Sequence, residues 1–438
     1  MSNKSPYPLL FTREIYILEE YFEIPEASAM KSLLKIEEPS LKHASSNASW
    51  RDFLELGFRP LYLGGAIWAI VGVGFWVFAP HWLQGILSGV FWHAHEMLWG
   101  FVAAIAVGFL LTATNNWTGI NPLHGKALGA LACLWLIARI GYLLPHPLAF
   151  GMACAAESLF FCAATYAVAR CLWRAQNQHN YALPALVLGM GLANAAFLYA
   201  CWMQWDYSTL MHHLFAGMLC MLTLTLIVAR RVIPFFASRA VSGLELNRHT
   251  RSGQWQAGCA ALAIASWLFD FNTVSALLFT AASLITLWHL VSWKPWAVLG
   301  TPLLWILYLG YLGLGLGLAA AAAYTLDWSS RLSWPVHLIA MAGFGALILG
   351  MITRTALGHT GRLLRADKAM VTAFALLLIT IILRVCALST NTATMAWLHA
   401  SATCWMLAFA IYLVRFIPMM TRPRVDKHPG KPINLSRS

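Results

Sequence analysis

The stretch F-W-H-A-H-E-M-L-W-G-F-V-A-A-I-A-V-G-F-L-L-T-A-T, residues 91–114, sets two histidines and a glutamate at the mouth of an apolar run long enough to cross a lipid bilayer. Ionisable side chains are costly in lipid, so their placement there calls for a purpose. The pattern recurs: Met211-His212-His213, Pro335-Val336-His337 and Trp397-Leu398-His399 each stand just inside the start of another long apolar segment.

The rest of the chain agrees with that stretch. Its 438 residues are 60% hydrophobic and 11% charged, with a mean hydropathy of +0.65. This composition excludes a soluble domain and predicts an all-α, polytopic membrane helical bundle, because a helix satisfies its own backbone groups where no water is present. Apolar windows give twelve transmembrane helices at roughly 60–79, 91–114, 126–144, 148–170, 181–203, 209–229, 254–270, 272–293, 302–323, 334–353, 368–388 and 395–416. Residues 1–55 read as a cytoplasmic N-terminal tail, poorly ordered or partly helical. Residues 56–420 form the transmembrane domain, and 421–438 a basic cytoplasmic tail. Gly310, Gly313, Gly315 and Gly317 in the ninth span predict close approach of a neighbouring helix. After the sixth span, A-R-R-V-I-P-F-F leads into the longest loop, which is rich in Arg, and the tenth span is followed by L-G-H-T-G-R-L-L-R in a cytoplasmic loop.

Orientation follows from the positive charges. With both termini inside, the cytoplasmic segments carry 19 Lys and Arg residues, against Arg331 alone outside. The formal net charge of +12 is then a sorting signal at an anionic lipid leaflet and does not imply nucleic-acid binding. The nine cysteines form no C-x-x-C pair and no C-x-x-C-H, which argues against a disulfide framework and against covalently attached haem.

The histidines of spans 2, 6, 10 and 12 all enter the membrane from the outer face. His93, His95, His212, His213, His337 and His399 therefore share one depth, and the first three sites lie four helices apart. Three possible units of four helices, with histidines on spans 2, 6 and 10, resemble the layout of haem-copper oxidase subunit I. Imidazole is a good ligand for haem iron and for copper, so these six histidines are candidate metal ligands. His93 and His95, two residues apart, point to nearly opposite sides of a regular helix. Arg139 and Arg384 lie at a similar depth, where a buried guanidinium needs an anion: a haem propionate would serve, and the alternatives are pairing with Glu157, Glu96 or a backbone carbonyl. Met97 is a further soft donor; His289 and His359 fall at the opposite end and are set apart. Each histidine also fits a plainer role at the polar interface.

W-H-A-H-E-M at 92–97, G-F-L-L-T-A at 108–113, W-T-G at 117–119, F-R-P at 58–60, R-V-I-P-F-F at 231–236 and R-T-A-L-G-H-T-G-R at 354–362 together resemble the NnrS family. The resemblance spans about residues 55–430, with two departures: the first 50 residues have no counterpart, and Arg230 stands where the family pattern has glycine. It implies a bacterial inner-membrane protein containing non-covalent haem and copper, connected with denitrification and the response to nitric oxide. His93, His95 and Glu96 belong to its strongest motif, and His337 heads the helix that ends in R-T-A-L-G-H-T-G-R. The expected function is binding or turnover of nitric oxide near the periplasmic face. The residues do not decide between enzyme and binding protein, and name no electron donor. The alternatives are a twelve-span secondary transporter of a metal or small anion, and a membrane assembly or sensor partner.

Overall fold

Apolar windows become helices wherever Gly, Pro or a capping side chain does not stop them. The computed structural model describes residues 48–247, 249–389 and 392–425, so most of the expected N-terminal tail and much of the basic C-terminal tail lie outside the described residues. Helices run α1 Phe58–Phe78, α2 Gly89–Thr118, α3 Gly125–Gly141, α4 Pro147–Arg174, α5 Ala182–Trp202, α6 Tyr207–Ala240, α7 Thr250–Leu268, α8 Asn272–Ser292, α9 Pro302–Thr325, α10 Ser333–His359, α11 Lys368–Leu388 and α12 Thr394–Met420. Ten of them are long and apolar enough to cross a membrane. The two others are α3, with 17 residues, and α7, which opens T-R-S-G-Q-W-Q. Leu277, Leu284, Ile382 and Val414 are more than half exposed, as side chains facing lipid should be in a multi-pass membrane protein.

Local chemistry sets the ends. Asp206 caps α6, its carboxylate accepting from the Thr209 hydroxyl at 2.6 Å and the Thr209 backbone N–H at 3.1 Å. Those bonds, the hydroxyl's first, hold the Asp206 carboxyl below its usual range, so this cap is lost only as the pH falls through that lowered value. Gly119, at φ +71°, ends α2.

Sequence neighbours pack side by side, and α12 returns to pack on α1. Arg59, nearly fully buried, ties the two together by donating to the carbonyls of Met420 at 3.0 Å and Arg422 at 2.9 Å. Consecutive helices stay in contact along the chain, α4 against α5 and α8 against α9 among them.

The glycines of α9 do meet α10. A Cβ on Gly313 would stand 2.5 Å from the Ala342 carbonyl oxygen, and one on Gly317 3.0 Å from the Ile339 nitrogen. Since the obstacle is backbone, Gly313→Ala is expected to cost about 1–3 kcal/mol, read as a lowered midpoint of thermal unfolding in detergent. An unchanged midpoint would mean that α9 and α10 are not locked together there.

Two features depart from the sequence reading. The sixth span does not end at residue 229: α6 continues through R-V-I-P-F-F to Ala240, with Ile233, Pro234 and Ala237 buried. In addition, α2 and α10 are each interrupted by a π-helical turn, Glu96–Val102 and Leu338–Gly345, beginning directly after His95 and His337. Such turns widen a helix by one residue and recur at functional sites.

Candidate functional site

His93 and His337, 244 positions apart in the chain, line one cavity of about 170 Å³ at the end of the bundle where α2 and α10 begin. Its walls are largely apolar, with Trp76 and Val73 from α1 and Ala402 and Trp405 from α12. Met97, Met211, Met218 and Met341 bring four thioethers from α2, α6 and α10.

The two rings are held differently. His93 stacks on Trp76, with centroids 5.1 Å apart and planes 13° from parallel, and its buried Nδ1 has no hydrogen-bond partner. His337 donates from Nδ1 to the Ser333 carbonyl at 2.7 Å, one turn back on the same helix. That fixes the tautomer with the lone pair on Nε2, where the Arg384 guanidinium donates at 2.8 Å. A backbone carbonyl behind the far nitrogen is the usual support of a metal-ligating histidine. Arg384 makes no ion pair among the described residues.

His95 points to the other side of α2, as the two-residue spacing requires, into a buried ionic cluster. Its Nδ1 lies 2.8 Å from Glu96 Oε1; its Nε2 lies 2.9 Å from Asn194 Oδ1 and 3.1 Å from Glu157 Oε2. Arg139 from α3 donates to both carboxylates, at 2.7 Å to Glu96 and in a close ion pair to Glu157. Glu157 also accepts from the Tyr142 hydroxyl at 3.0 Å and the Asn194 amide at 2.9 Å, and Glu96 from the Trp68 indole at 2.5 Å. Because Asn194 spends its NH₂ on Glu157, its oxygen faces His95. Both imidazole nitrogens therefore meet acceptors, and the ring is an imidazolium. Two cations balance two anions, all with 2% exposure or less. Gly100 makes the room, since a Cβ there would stand 2.9 Å from both Glu96 Oε2 and Trp68 Nε1.

The remaining predicted residues are elsewhere. His212 stacks on Trp267 at 5.0 Å and lies 3.6 Å from Asp270; His213 faces Trp205. His399 is exposed and stacks on Phe78. Helix α6 presents Met211 and Met218 to the cavity, and α12 presents Ser401 and Trp405. The site thus unites His93, His337, Arg384 and Met97. His95, Glu96, Arg139 and Glu157 form the cluster behind it, and neither includes His212, His213 or His399. Among the described residues no three His, Cys, Asp or Glu side chains gather as a metal-binding group, so further donors at the cavity would be thioethers.

A larger cavity of about 670 Å³ opens at the opposite end between the far ends of α2, α6 and α10. It is lined by Trp117, Phe235, Phe236, Arg354 and His359, residues of W-T-G, R-V-I-P-F-F and R-T-A-L-G-H-T-G-R. The sequence reading set His359 apart in a loop; it closes α10, with its ring 5.5 Å from that of Phe58. A small apolar void, bordered by Phe344 on one side and by Phe109, Val228 and Met351 on the other, lies between the two cavities.

Compared with protein families, the chain matches the family profile described as NnrS protein over residues 52–424. A comparison with curated proteins found no match.

Proposed function

This chain belongs to the NnrS family, and from that premise we propose that it serves the nitric oxide response from the bacterial inner membrane, binding nitric oxide at a copper ion held by His93 and His337. We read all of α1–α12 as crossing, with the histidine end toward the periplasm and the arginine-rich end toward the cytoplasm, as the charge distribution favours.

One observation carries the reading: imidazoles from two distant helices line one apolar cavity, each with a nitrogen that could serve a metal. His93 Nδ1 has no partner, and His337 Nε2 holds a lone pair with its far nitrogen braced on Ser333. Imidazole and thioether together favour copper, Cu(I) above all, and Met97 lines the same cavity. Held there, copper would supply a soft centre with affinity for a diatomic ligand. The protein's part is to bind, orient and keep dry: Ser333 fixes the His337 tautomer, Trp76 fixes the His93 plane, and the apolar walls exclude water. Nitric oxide is small and apolar enough to enter through lipid. Arg384 must leave His337 Nε2 when metal binds.

Haem does not fit this cavity as the side chains stand. Its 170 Å³ matches a void that takes about one benzene ring, far less than a porphyrin. Nor are His95 and Arg139 free to hold one, since the carboxylates engage both.

A secondary transporter is the competing reading, favoured by the three voids in line along α2, α6 and α10. The middle one has no charged side chain in its lining, which suits a gas better than an ion. Purified full-length protein reconstituted with Cu(I) is expected to hold about one copper per chain and to change its X-ray absorption edge on adding nitric oxide. Metal-free protein that moves a metal or anion into proteoliposomes would replace this reading with the transporter.

A further inference from the structure

We infer that the arginine-end cavity is a separate binding site for a phosphate-bearing ligand, with Arg354 as its main counter-ion. Arg354 lies on the inner face of α10, 7% exposed. Its guanidinium carbon sits 3.8 Å from the centroid of the Phe236 ring, and among the described residues it makes no hydrogen bond or ion pair. A buried, permanently charged group without an anion is costly, and the cost is relieved when the cavity it lines supplies one.

The surroundings specify the kind of anion. Arg231 and Arg424 line the same cavity, Arg231 partly engaged by the Asn180 side chain at 2.7 Å and the His179 carbonyl at 3.1 Å. Several guanidiniums around one space suit a tetrahedral, multi-oxygen anion better than a single planar carboxylate. Phe109, Trp117 and Phe235 add apolar wall beside the polar Thr112, Asn116, Thr355 and His359, which suits a ligand whose phosphate meets Arg354 while a greasy portion lies along the helices. Basic pockets between transmembrane helices at a positively charged face hold anionic phospholipid head groups in this way. The phosphate is the shared chemistry, whether it arrives on a lipid or free. Nothing in this inference depends on what the histidine end holds.

The test uses delipidated full-length protein in detergent. Native mass spectrometry follows binding of phosphatidylglycerol, alone and in competition with inorganic phosphate. Wild type and the exposed-site control Arg365→Gln should bind one lipid equally; Arg354→Gln should bind about tenfold more weakly, as loss of a charge-assisted contact implies. Arg354→Lys keeps the charge and the fold but loses the fork, and should fall between them. Displacement by millimolar inorganic phosphate supports free phosphate as the occupant, and resistance to it supports the lipid. Equal phosphatidylglycerol and phosphate binding by wild type, Arg354→Lys and Arg354→Gln would overturn the inference. So would a porphyrin absorption band dependent on Arg354 in protein that binds neither phosphate ligand.

Discussion

Arg139→Met is expected to lower the stability of the bundle by about 3–5 kcal/mol, the usual loss when one partner of a buried ion pair is removed. The cluster of His95, Glu96, Arg139 and Glu157 is neutral only as a set, and every member has 2% exposure or less. Without the guanidinium, Glu96 and Glu157 face each other across a single imidazolium, both buried from solvent. Adding Glu157→Gln to Arg139→Met restores a one-to-one balance between His95 and Glu96, so the double variant should regain part of the loss. Thermal unfolding in detergent reads both effects. A single variant as stable as wild type would mean that the four groups do not act as one charged unit.

His337→Ala should weaken copper binding by more than about 100-fold, since even changes to groups that merely brace a ligand cost 10–100-fold. Competition against a Cu(I) chelator measures this directly. His93→Ala should act alike. His289→Ala should not, because its ring serves a polar contact at the other end, with Ser252 at 2.8 Å and Tyr311 at 3.2 Å. His212→Ala and His399→Ala should also retain copper, their rings lying against Trp267 and Phe78. Equal copper retention by the His337, His93 and His289 variants would refute the ligand assignment.

Hydropathy located the helices because burial in lipid constrains some twenty consecutive residues at once. It set the histidines at a common depth, but depth along a helix says nothing of azimuth. His93 and His337 turn inward while His212, His213 and His399 turn elsewhere, and that depends on the rotation imposed by packing. The π turns after His95 and His337 shift the phase of all that follows by one residue, and nothing in the apolar pattern announces them. Arg139 was recognisable as needing an anion, with Glu96 and Glu157 among its candidates; that it takes both at once follows from the convergence of α2, α3 and α4.

The arginine end was missed because the apolar windows end the sixth span at residue 229 and the tenth at 353, whereas α6 and α10 run on to Ala240 and His359. A signal was present all the same. W-T-G, R-V-I-P-F-F and R-T-A-L-G-H-T-G-R all fall on the cytoplasmic side of the sequence-derived topology, and motifs at one depth are candidates for one site.

Each π turn is also a place where the length of the chain can change without rebuilding the bundle. Removing one residue between Glu96 and Val102 would let that turn relax to ordinary helix, and the segment bearing His93 would swivel by about 100° relative to the rest of α2. On the copper reading proposed above, a one-codon deletion there would forfeit metal capture while leaving every candidate ligand in the sequence.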